Sequence, residues 1–144
     1  MNITNLYVIK FKIRLSNMNM NDLIINGTQS TPEIDFKRSG HMSIKGKSLP
    51  EDPNAFFSPI FKWAQDICSK EVKIEIKLEY VNTSSSKRII ELLKAIDNNN
   101  KVKRIDMDWF YEADDADMLE FGEMIQRSLK RTKTNYIECE DLDV

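Results

Sequence analysis

Thr83, Ser84, Ser85 and Ser86 stand in an unbroken row of hydroxyls, with Asn82 before them and Lys87 and Arg88 after. Two kinds of chemistry suit such a run. A small polar side chain can cap the free amides that open a helix, but one residue suffices for that. A hydroxyl at a helix start can also accept a phosphoryl group, because first-turn amides and the helix dipole stabilise an anion there. A phosphate so placed brings about −1.5 to −2 charges to the surrounding surface. Lys87 and Arg88, one turn on, are placed to screen it.

Other chemistry lacks its residues. The chain has no phosphate-binding glycine loop, no GxSxG elbow and no HExxH pair. The single histidine, His41, has no carboxylate or nucleophile close in sequence, so a Ser-His-Asp arrangement lacks support. Cys68 and Cys139 with one histidine cannot assemble a four-ligand zinc site, and are expected as buried free thiols in a reducing cytosol. Asp106 and Asp108 read as an exposed strand face, and Asp114 and Asp115 as the acidic start of a helix. No catalytic residue, metal or cofactor is expected; the reading is of a non-enzymatic protein.

The elements that position the hydroxyl row follow from periodicity. Before it, Val72, Ile74, Ile76, Leu78 and Tyr80 alternate with Lys73, Glu75, Lys77 and Glu79, a strand with one dry face. After it, Ile89, Leu92, Leu93 and Ile96 recur at helical spacing. Upstream, TQSTP reads as a turn, and Ile34 and Phe36 with Met42 and Ile44 read as a hairpin turning at Ser39-Gly40. A helix from Asp52 presents Phe56, Phe57, Ile60, Phe61, Ala64 and Ile67 on one face, and Pro59 predicts an offset or kink in it. Downstream come a strand through Ile105, Met107, Trp109 and Tyr111, a helix through Met118, Phe121, Gly122, Ile125 and Leu129, and a closing strand TNYIECE. This order predicts an open α/β sheet, parallel in its later strands, with about three helices on one face.

A chain of 144 residues supports one domain. The net charge is −2, and residues 1–20 contribute +3 through Lys10, Lys12 and Arg14, which leaves −5 for the rest. That balance argues against nucleic acid and anionic membranes as partners. YVIKFKIRL is too short and too charged for a signal core or a membrane span. Residues 1–19 thus form a basic extension, either an extra edge strand or the result of a start assigned too early, ahead of a single domain over 20–144.

YVNTSSSK, together with NGTQSTPEI near the start and WFYE after the last long strand, resembles the SiaC family of bacterial regulatory phosphoproteins from about Met20 to Glu140. The resemblance implies a fold like the STAS domains of anti-anti-sigma factors and a cytoplasmic partner switch. It makes Thr83 the phosphorylated residue, with Ser84 as second acceptor candidate, and Asn82, Ser84, Ser85, Lys87 and Arg88 as its partner-contact surroundings. Thr28, Gln29, Ser30, Thr31 and Pro32 match the family's other signature, without an assigned role. The implied circuit has a histidine-kinase-like Ser/Thr kinase, a PP2C-type phosphatase and a target activated by the unmodified form, a diguanylate cyclase in the best-known members. The competing expectation is a constitutive interaction or scaffold domain that dimerises through its charged sheet face or an open edge. A small-molecule binder, the third, requires a pocket beneath the aromatic helix.

Overall fold

The computed structural model describes residues 3–10 and 20–143. Residues 3–10 form a short helix, α1, with all eight residues exposed. The edge-strand expectation is therefore corrected for this part: YVIK continues a helical turn instead of joining the sheet. The rest of the 1–19 extension lies outside the described residues.

From Leu23 onward the order is β1 (Leu23–Ile25), β2 (Glu33–Phe36), β3 (His41–Ser48), α2 (Pro53–Asp66), β4 (Glu71–Val81), α3 (Thr83–Asp97), β5 (Arg104–Glu112), α4 (Ala116–Arg127) and β6 (Lys133–Cys139). The six strands lie side by side in chain order, antiparallel from β1 to β3 and parallel from β3 to β6. Three successive right-handed crossovers that step the same way must put all three helices on one face. Burial agrees. Val72, Ile74, Ile76 and Leu78 of β4 share one core with Phe57, Ile60 and Ala64 of α2, Ile89, Leu92, Leu93 and Ile96 of α3, and Met118 and Ile125 of α4.

The opposite face stays open, and its charges pair among themselves. Lys73 Nζ lies 2.9 Å from Asp108 on the neighbouring strand, and Asn135 Nδ2 donates to the same carboxylate at 3.1 Å. Lys77 sits 4.6 Å above the Phe110 ring. Burial alone would raise the Asp108 carboxyl, but Lys73 and Asn135 outweigh it and hold it below its usual range.

Local chemistry sets the turns and helix starts. Gly40 closes the β2–β3 hairpin at φ +103, with Gly40 N donating to Lys37 O at 2.9 Å. A side chain there would collide with Glu71 O, so the left-handed conformation and the crowding both demand glycine. Asp52 caps α2 through Ala55 N, Pro53 follows at the permitted position, and the helix runs on through Pro59 to Asp66. Asp115 caps α4 through Met118 N, while Asp114 lies in the turn before it and the first-turn acid is Asp117. Trp109 is fully buried and donates from Nε1 to Met118 O at 3.0 Å, and Gly122 lets α4 lie directly on its ring. Cys68 is buried as expected, whereas Cys139 is only half-buried, because β6 is an edge strand.

Candidate functional site

Each crossover helix runs against its strands, so α2 and α3 both begin at the edge where β3 and β4 end. β2 is antiparallel to β3, which brings the start of β2, and the Thr28–Pro32 loop before it, to that same edge. Topology thus gathers two segments some fifty residues apart in the chain.

The hydroxyl row divides sharply there. Asn82 is the cap of α3: its Oδ1 accepts from Ser85 N at 2.9 Å, and its carbonyl accepts from Ser86 N at 2.9 Å and from the Ser86 hydroxyl at 3.0 Å. Thr83 and Ser84, the first two helical residues, are exposed, and no hydrogen bond occupies their hydroxyls among the described residues. Their amides belong to the first turn, where a helix has no internal acceptors to offer. Ser85, by contrast, has 0% exposure. The expectation that Ser85 contacts a partner is corrected: it faces the core and its hydroxyl accepts from Ser48 Oγ at 2.9 Å. The signal was in the sequence, since stepping back one turn from Ile89 along the apolar face lands on residue 85.

The two basic residues also part company. Lys87 is exposed and, four residues after Thr83, on the same side of the helix. Arg88 is paired with Glu91, with Nη1 2.8 Å from the carboxylate. It borders a shallow groove between α2 and α3, about 360 Å³, where Asn54, Phe57, Phe61 and Leu92 also contribute.

The Thr28–Pro32 loop is prebuilt by its own hydroxyls. Thr28 Oγ1 accepts from Ser30 N at 3.2 Å and Thr31 N at 3.0 Å, and lies 2.7 Å from Thr31 Oγ1. Thr28 N donates to Thr31 O at 2.9 Å. Pro32 is buried, while Thr28, Gln29 and Ser30 are exposed. The loop is fixed to the end of β3 by Leu49 N, which donates to Ser30 O at 2.8 Å. One residue earlier, Ser48 O accepts from Asn82 N at 3.0 Å. Ser48-Leu49 therefore stands between the loop and the start of α3. Sequence reasoning missed both residues, although the Met42, Ile44 alternation continued by two steps puts Ser48 on the covered face.

Around this edge lie Gln29, Ser30, the 37%-exposed Leu49, the 51%-exposed Tyr80, Thr83 and Ser84. His41 is distant, at the opposite end of β3 and paired in register with Lys73. Among the described residues no cluster of three or more His, Cys, Asp or Glu is placed to hold a metal, and no helix is long and apolar enough to cross a membrane.

A family profile for SiaC family regulatory phosphoproteins matches residues 25–139. An uncharacterised protein of Pseudomonas aeruginosa strain UCBPP-PA14 is 29% identical over 109 residues, which span 72% of this chain and 86% of that one. The crystal structure of apo-SiaC from Pseudomonas aeruginosa superposes with a TM-score of 0.69 at 26% identity, covering 82% of this chain and 99% of that one. The complex of the diguanylate cyclase SiaD with its activator SiaC, from the same organism, contains a chain of like fold: TM-score 0.71, 24% identity, 82% and 100% covered.

Proposed function

Because the chain belongs to the SiaC family of regulatory phosphoproteins, we propose that it is a partner-switch protein whose state is written at Thr83. The unmodified protein binds and activates a target, a diguanylate cyclase as for the SiaC seen with SiaD. A Ser/Thr kinase of histidine-kinase-like fold adds phosphate at Thr83 and so releases the target, and a PP2C-type phosphatase restores the binding form. The observation that carries this reading is the division of the hydroxyl row. Thr83, which matches the family's acceptor position, is exposed at the first position of α3, and Ser85 is buried.

The mechanism needs no change of fold. Unmodified, Gln29, Ser30, Leu49 and Thr83 present neutral side chains at this edge, with Lys47 and Glu79 lining the hollow beside Gln29 and Lys87 exposed on the side of α3 that carries Thr83. Phosphate on Thr83 adds charge and tightly held water at the middle of that contact, where an unpaired buried charge is most costly. First-turn amides and the dipole of α3 stabilise the phosphorylated protein on its own, so modification favours the free state twice over.

Intact-mass analysis with peptide mapping of the protein taken from its own cells, kinase present, tests the assignment. One phosphate on the peptide bearing Thr83, absent from a Thr83→Ala variant, is the expected result. Protein that never carries phosphate on residues 83–86 under any growth condition overturns it.

A further inference from the structure

The switch at Thr83 works only if the start of α3 is held in one conformation, and Asn82 alone does not hold it. The cap bonds Asn82 Oδ1 to Ser85 N and so fixes the first turn to itself, not to the rest of the molecule. Two further bonds tie that turn to the sheet, and both go to one residue. Ser48 O accepts from Asn82 N at 3.0 Å, and Ser48 Oγ donates to Ser85 Oγ at 2.9 Å. Ser48 and Ser85 are both at 0% exposure, so neither hydroxyl has water as a substitute. Ser48 is the last residue of β3, in register with Val81 next to the cap, and its successor Leu49 carries the bond to Ser30 of the signature loop.

We propose that Ser48 is a positioning residue for Thr83. It never touches the phosphate or the partner. It seats the first turn of α3 against the end of β3, so that Thr83 and Ser84 point outward and Ser85 inward, and it sets that turn in fixed relation to the Thr28–Pro32 loop. The loop's Thr28 and Thr31 hydroxyls are spent on its internal bonds, and its carbonyl at Ser30 is spent on Leu49. On this view the two signatures form one surface because residues 48 and 49 bond to both. Without the Ser48 hydroxyl, Ser85 retains a buried oxygen lacking its donor, and the first turn frays to bring it to water. A kinase then meets the correct acceptor conformer only part of the time, which raises the apparent KM in proportion and leaves kcat nearly unchanged.

The inference rests on the switch reading, and the experiment separates the two. Wild type, Ser48→Ala, Ser85→Ala and the double variant are phosphorylated by the cognate kinase, and amide hydrogen exchange is followed at Asn82, Ser85 and Ser86 against Ile76 and Met107 in the central strands. In Ser48→Ala, exchange at the three α3 amides should accelerate about tenfold, and KM for phosphorylation should rise by the reciprocal of the fraction of molecules whose first turn stays seated. The central strands should be unaffected. The double variant, with no orphaned hydroxyl, should recover part of both losses. Unchanged KM and exchange in Ser48→Ala, while wild type is phosphorylated at Thr83, overturn the positioning role and leave the switch intact. Equal acceleration at Ile76 and Met107 also overturns it, because Ser48 is then a general stability residue. Wild type that takes no phosphate defeats the switch, and this inference with it.

Discussion

At its C-terminal end α3 runs into Asp97, whose buried carboxylate accepts from Lys130 N at 2.9 Å, Arg131 N at 3.0 Å, Thr132 N at 2.9 Å and the Thr132 hydroxyl at 2.8 Å. The Arg131 guanidinium then satisfies three carbonyls, those of Asp97, Asn99 and Val102. At its N-terminal end the same helix has a single side-chain cap and the two exposed hydroxyls of Thr83 and Ser84. One end of the helix is closed by a buried network that joins α3 to the start of β6. The other keeps its bonding capacity for something outside the chain. Polar residues crowd both ends, so composition alone does not separate structure from function; the separation lies in whether their bonds are already made.

Breaking the closed end should have the largest effect. Asp97→Ala strands three amides and a hydroxyl in a buried site, and should cost about 3 kcal/mol of stability in a urea titration. Target capture per folded molecule should stay the same. The same end is sensitive to acid. Burial alone would raise the Asp97 carboxyl, but bonds from Lys130, Thr132 and Arg131 outweigh it and hold it below its usual range. Its contribution is therefore complete above the unfolded-state value near 3.9 and is lost as pH falls further, through the folded value. Stability measured down the acid limb should drop in wild type and be flatter there in Asp97→Asn.

The open end should show the converse. Thr83→Asp should weaken target binding about a hundredfold, roughly 2.7 kcal/mol by titration calorimetry, yet shift stability by no more than about 0.5 kcal/mol. Asn82→Ala removes the cap and should cost about 1 kcal/mol, with Asn82→Ser close to neutral. Smallest of all is Lys73→Ala on the open sheet face, within about 1 kcal/mol and shrinking with added salt; a larger loss would mean that this face matters more than its paired charges suggest.

Much of this was legible in the sequence. The alternation of β4 from Val72 to Leu78, the hairpin through Gly40 and the apolar stripes of α2, α3 and α4 mark where surface must be buried; Tyr80, expected on the dry face, is instead 51% exposed, beyond a register shift between β3 and β4. Thr83 as the exposed acceptor candidate followed from the strand-to-helix joint and the family motif. Pairing between distant polar residues leaves no such trace. Asp97 drew no notice in the sequence because its partners lie over thirty positions away. Ser48 went unremarked, and the meeting of Thr28–Pro32 with the start of α3 depends on β2 running against β3. The edge-strand reading of the extension does not hold over residues 3–10, where ITNLYVIK carries a single basic residue and forms a short exposed helix.

The most direct test is to titrate the cognate diguanylate cyclase with unmodified protein and with the same protein phosphorylated stoichiometrically at Thr83, reading cyclic di-GMP production. Stimulation by the unmodified form, and its loss until phosphatase treatment restores it, is the outcome expected here. Equal stimulation by both forms would contradict the account at its root.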